Sequence, residues 1–139
     1  MNLTHIMINK SKKIQSEISA GELLDKISIL EIKLNKIIDK SNRAEVNKEY
    51  EMLNNVKKLN IEITEKIKHL FKEIKDVNLK LWDIEDKLRI CEKNKGFGEK
   101  FVELAREVYF NNDKRAKIKS KINETLGSNI KEIKKYPDY

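Results

Sequence analysis

Residues 63–88 read ITEKIKHLFKEIKDVNLKLWDIEDKL, and their apolar side chains fall at Ile63, Ile67, Leu70, Ile74, Val77, Leu81, Ile84 and Leu88. The steps alternate between four and three residues, the heptad rhythm of helices that pack side by side. Acid-first pairs such as Asp76–Lys80 and Asp83–Lys87 each add roughly 0.2–0.5 kcal/mol to such a helix. Upstream the face continues through Leu59, Val56, Leu53, Tyr50 and Val46, and no Gly or Pro interrupts the chain between Gly21 and Gly96. The pattern predicts one continuous helix over residues 43–93, opened by Asn42 with Glu45 three residues on. At a rise of 1.5 Å per residue it would be about 75 Å long.

Shorter helices are expected on either side. Ser19 can cap a helix over residues 20–39, with Glu22 at its third position and Leu23, Ile27, Leu30, Leu34 and Ile37 on one face. Asn94-Lys95-Gly96-Phe97-Gly98 is a turn, and a further helix over 99–126 carries Phe101, Leu104, Ala105, Val108, Ile118, Ile122 and Leu126 inward. Gly127 suits a helix C-cap, and Ser128 can start a short helix over 129–135 that Pro137 would help to stop. Residues 1–18 carry no sustained pattern and form an N-terminal arm to a single helical domain over 19–139. The expected fold is all-α: elongated, coiled-coil-like antiparallel helical hairpins around one long central helix. A layer two helices thick leaves its seam half exposed, which predicts a homodimer burying Ile63, Ile67, Leu70 and Ile74. Packing of the C-terminal tail across the seam is the intramolecular rival.

Composition supports that class. In 139 residues there are four glycines and one proline, too few for the turns of a sandwich or an α/β domain. The single cysteine, Cys91, excludes an intrachain disulfide and a thiolate metal cluster. No window approaches 18 apolar residues, so no membrane span is expected. The start does not read as a secretory signal, and the cytoplasm is the expected compartment. His5 and His69 lie far apart without carboxylates at ligand spacing, and there is no Walker motif or nucleophile elbow. No metal, cofactor or catalytic residue is assigned on this basis, and whether the protein is an enzyme stays open.

Two charged features remain. Pairing about the turn near residue 96 makes opposed residue numbers sum to about 192, setting Trp82 near Tyr109, Asp86 near Arg106 and Arg89 near Glu103. These pairs could be ion pairs and aromatic packing that fix helix register. Alternatively, Trp82, Arg106, Tyr109, Asn112, Arg115 and Lys119 form a pocket for a phosphate- or carboxylate-bearing small molecule, such as a nucleotide, sugar phosphate or nucleotide-sugar. Arginine suits it because its fork holds two anion oxygens at once. The helix-poor dipeptide Asn112-Asp113 beside them is not what propensity would choose. Asp113 would repel an anion unless it pairs with Arg106 or Lys117, or binds Mg²⁺. The second feature is residues 114–135, with eight basic against two acidic side chains, +6 of the net charge of +7. Such a stretch could meet the phosphates of nucleic acid, a nucleotide or an acidic lipid surface. The leading expectation is a non-enzymatic helical interaction or scaffold protein with a protein partner.

The sequence resembles a family of small uncharacterised bacterial and viral helical proteins, a domain of unknown function. The residues that carry this are Ser19 to Ile27, Ile29 to Lys33, Leu81 to Asp86 with Arg89, Phe101, Leu104 to Arg106, and Val108-Tyr109. They continue in Asn112-Asp113, Arg115-Ala116, Ile118-Lys119, Ile122-Asn123 and Leu126 to Ser128. The resemblance covers residues 19–139 and implies a shared fold, with a hint of nucleotide-sugar or glycan metabolism but no activity. It singles out Gly21, Glu22, Asp25, Trp82, Arg106, Asn112, Asp113 and Arg115. The chain departs from it in the longer polar start, Met1 to Ile18, and in Gly98-Glu99.

Overall fold

The computed structural model describes residues 12–139. These form four helices: α1 (Ala20–Lys36), α2 (Lys40–Asn60), α3 (Glu65–Lys93) and α4 (Glu99–Leu126). Most of the expected arm, residues 1–18, lies outside the described residues, and 12–19 have no regular secondary structure. Among the described residues, no helix is long and apolar enough to cross a membrane.

The long central helix is corrected. Instead of one helix over 43–93, the chain breaks at residues 61–64 into α2 and α3. No glycine or proline causes this. Ile61, Ile63 and Thr64 are β-branched, which disfavours helix. Ile61 is extended, at φ −120° and ψ 124°. Thr64 then caps α3, its hydroxyl accepting from the Ile67 amide at 3.2 Å.

The other boundaries have equally local causes. Asp39, not Asn42, caps α2, accepting from the Asn42 amide at 2.9 Å, so α1 ends at Lys36 rather than residue 39. Arg43 then donates to the carbonyls of Leu34 and Ile37 at the end of α1. The helix expected over 129–135 does not form. Ser128, its expected cap, instead accepts from the Ala20 amide at 3.1 Å and donates to the Ile130 carbonyl at 2.9 Å. Gly127 does close α4, in the left-handed region at φ 61°.

The centre of the molecule is the short helix α1, which packs against all three other helices. Leu23, Leu24 and Ile27 join Ile67, Leu70, Ile74 and Val77 of α3 and Ile118 and Ile122 of α4 in one core. Three residues expected at a dimer seam, Ile67, Leu70 and Ile74, are thus buried inside one chain, at 1%, 4% and 0% exposure. α2 packs on α1 alone and has no buried residue.

Candidate functional site

A polar cluster occupies the same centre. Asp25 and Ser28 lie among the apolar positions of α1, with relative exposures of 1% and 0%. A buried carboxylate must be paired and hydrogen-bonded to be tolerated. Arg115 of α4 supplies a forked partner, Nε to Oδ1 at 2.9 Å and Nη2 to Oδ2 at 2.5 Å. Asn78 of α3 donates to Asp25 Oδ1 and to Ser28 Oγ, each at 2.8 Å. Ser28 Oγ donates to the Asp25 carbonyl at 2.7 Å. One carboxylate therefore ties three helices together.

Lys119, one turn beyond Arg115, extends the cluster. Its ammonium donates to Glu22 Oε2 at 2.7 Å and Glu132 Oε2 at 2.9 Å, and lies 3.7 Å from Asp25 Oδ2. Burial pulls the Lys119 ammonium down, but hydrogen bonds to Glu22 and Glu132 outweigh it and leave it above the ordinary lysine value. The Arg115 guanidinium is likewise raised, chiefly by its hydrogen bonds to Asp25. The Glu132 carboxyl is lowered, chiefly by the hydrogen bond from Lys119.

The N-terminus of α1 is closed by the protein itself. The Ala20, Gly21 and Glu22 amides donate to Ser128 Oγ, Asn123 Oδ1 and Ser19 Oγ respectively. Gly21 is required by close approach: a Cβ there would lie 2.6 Å from the Lys119 carbonyl oxygen and 2.9 Å from Asn123 Oδ1. Every buried side-chain nitrogen or oxygen among the described residues has a hydrogen-bond partner.

The six residues expected in one ligand pocket are distributed over separate places. Arg115 and Lys119 belong to the internal cluster, where Asp25, Glu22 and Glu132 already hold both cations and Glu132 also lies 3.6 Å from Lys134. Trp82 and the outer edge of Arg115 line a cleft of about 430 Å³ with Ile29, Ile32, Leu81 and Arg89. Tyr109 and Asn112 lie beside the C-terminal tail, with Tyr136, Pro137 and Tyr139. Arg106 is exposed, its guanidinium 5.5 Å from the Phe110 ring centroid. The expected pairs Asp86–Arg106 and Arg89–Glu103 are not among the ion pairs formed by the described residues. Asp113 accepts from the Tyr139 hydroxyl, not from Arg106 or Lys117. Of the polar dipeptide, Asn112 is half-buried, whereas Asn111 before it is buried and donates to the Glu107 carbonyl at 2.8 Å.

Ser28 and Asn78 went unnoticed in the sequence, and Asp25 was singled out only through the family resemblance, although a signal existed for all three. Asp25 follows Leu24, Ser28 follows Ile27, and Asn78 follows Val77, so each sits beside an inner position where a polar side chain needs a partner. Glu132 offered no such signal, since its partner lies on another element. Among the described residues, no group of three or more His, Cys, Asp or Glu side chains is placed to hold a metal ion.

The chain belongs to the family of unknown function DUF6165, which matches residues 14–138. No curated protein and no solved structure matches the chain.

Proposed function

We propose, for this member of a family of unknown function, a non-enzymatic interaction role exercised as a homodimer through the outer face of α2. The observation that carries it is a stripe. Met52, Val56 and Leu59 follow one another by four and three residues and are 56%, 38% and 84% exposed, with Ile63, 43% exposed, in the non-helical break just beyond α2. The spacing suits a second helix laid alongside. A second copy of the chain is the occupant the stripe fits. In an antiparallel pair, Met52 would face Leu59 of the other copy and the two Val56 side chains would meet near the middle. The flanking residues Asn55 and Asn60 are uncharged, so the pairing brings no like charges together at its edges. The adjoining side of α2 carries Tyr50 and Leu53 against the core, and Tyr50 donates to Glu31 at 3.2 Å. That contact would hold the stripe outward.

Sedimentation equilibrium tests this. The expected result is a mass of twice 16.4 kDa at high protein concentration, falling on dilution. Leu59→Glu with Val56→Glu should give a monomer with unchanged helix content. A wild-type protein that stays monomeric at several hundred micromolar overturns the homodimer, leaving the stripe for a helix of another protein.

A second reading concerns the cleft of Trp82 and Arg115. With Asp25 holding one edge of the guanidinium, a carboxylate or phosphate could meet the other, with Arg89 across the cleft. Its support is narrower than expected, because Arg115 is already bonded to Asp25, and Glu85 and Asp86 share the lining. A thermal shift by an anionic ligand that survives Arg89→Ala would remove this reading.

A further inference from the structure

On the side of α4 away from the α1 cluster, four of the nine aromatic residues of the chain collect around a surface groove made of two adjoining hollows, Phe110 in one, Tyr109 in the other, and Tyr136 and Tyr139 in both. The tail brings them together. Beyond Gly127 it turns back along α4, first at Glu132, bonded to Lys119, and then at Tyr139, bonded to Asp113. The Tyr139 ring lies 5.5 Å from Tyr109 and 5.4 Å from Phe110, and these two lie 4.8 Å apart. All four rings remain more than about a third exposed, an unusual state for aromatic side chains, whose area normally drives burial. The adjoining space, about 610 Å³, is lined by Lys114, Lys117 and Lys134 together with Phe110, Tyr136 and Tyr139.

Charge is distributed to match. Of the basic residues in 114–135, Arg115 and Lys119 are consumed by the internal cluster. Lys114 and Lys117 are exposed and absent from the ion pairs of the described residues, whereas Lys134 lies 3.6 Å from Glu132. Asp113 and Asp138 also line the groove.

We propose that this groove binds single-stranded nucleic acid, stacking bases on the tyrosine rings while Lys114, Lys117 and Lys134 meet the phosphates. Open aromatic faces beside a row of cations are the elements that unpaired strands use, because every base has a face to stack. In a duplex those faces are already stacked. Of the two groove carboxylates, Asp113 is taken by the Tyr139 hydroxyl, and Asp138 could accept from the exocyclic amine of an unpaired base. The surface is separate from the α2 stripe, so the two proposals stand or fall independently.

Fluorescence anisotropy with labelled 15-nucleotide DNA and RNA strands, and with the matching duplex, tests the proposal on the full chain. Single strands should bind more tightly than the duplex. Three lysine–phosphate contacts set a salt slope near −2, about a 20-fold loss of affinity between roughly 50 and 200 mM salt. Tyr109→Ala and Tyr139→Ala should each weaken binding about tenfold, while Tyr139→Phe keeps the ring and binds within about twofold. Lys114→Gln with Lys117→Gln should bring the slope to about −0.7. These are exposed positions, and unchanged circular dichroism confirms that the variants fold. No binding at 100 µM protein, equal binding of the duplex, insensitivity to both tyrosine-to-alanine changes, or binding to anionic vesicles but not to strands overturns it.

Discussion

α1 and α2 are neighbours in the chain, both amphipathic and both opened by a side-chain cap, Ser19 and Asp39. α1 has 17 residues and eight of them are buried; α2 has 21 residues and none. Length and regularity of pattern therefore do not say which helix becomes the core. α1 is surrounded by three helices and admits polar groups only where each has a partner, as at Asp25 and Ser28. α2 meets one helix, and the rest of its apolar side chains face outward. The contrast separates a residue's tendency to be buried from the existence of a surface that buries it.

The largest effect that could break this contrast is electrostatic. Arg115→Ala leaves the Asp25 carboxylate buried without its forked partner, and should cost about 3–5 kcal/mol of stability in urea denaturation. Lys58→Ala on exposed α2 should stay within about 0.5 kcal/mol. Equal small losses at both sites would mean that the α1 cluster opens to water.

Packing gives the next test. Ile27 in α1 is 0% exposed, and Ile27→Ala should cost about 2–5 kcal/mol through lost burial and a cavity. Leu59→Ala in α2 should leave the monomer within about 0.5 kcal/mol while weakening the proposed dimer about tenfold. A comparable monomer loss from Leu59→Ala would show that α2 buries this face within one chain.

The smallest effect concerns the tail, which is attached to the α1 cluster through Glu132 and Lys119. Glu132 has a folded pKa below its ordinary 4.5, so its contribution is present above that value and lost as pH falls through the folded value. With Glu132 half-exposed, the effect should be under about 1 kcal/mol. Acidification below about pH 4.5, or Glu132→Gln at neutral pH, should loosen the tail and shift the Tyr139 ring resonances, with the amide signals of α1 unchanged. Motion of α1 and the tail together would show that Glu132 supports the core and not the tail alone.

Much of the local structure is legible in the residues. Ser19 with Glu22, the turn around Gly96 and Gly127 each act on the backbone within a few positions, so their caps and turns follow from sequence alone. The inward set Ile67, Leu70, Ile74, Val77 and Ile84 follows from periodicity for the same reason. The break at 61–64 was also local, in a β-branched run followed by a capping threonine, but it was hidden by an apolar spacing that continues across it. Partners belong to the tertiary structure. Arg115 pairs with Asp25, 90 residues away, and Gly21 with Asn123, 102 residues away, and no periodicity within a helix selects its opposite number. Hence the sequence determined that Arg115 and Lys119 would lie at helical spacing on α4, whereas folding decided that they would meet carboxylates of the same chain. The aromatic groove arose likewise: Tyr109 and Tyr139 are 30 residues apart, and a tail drawn back along α4 made them neighbours.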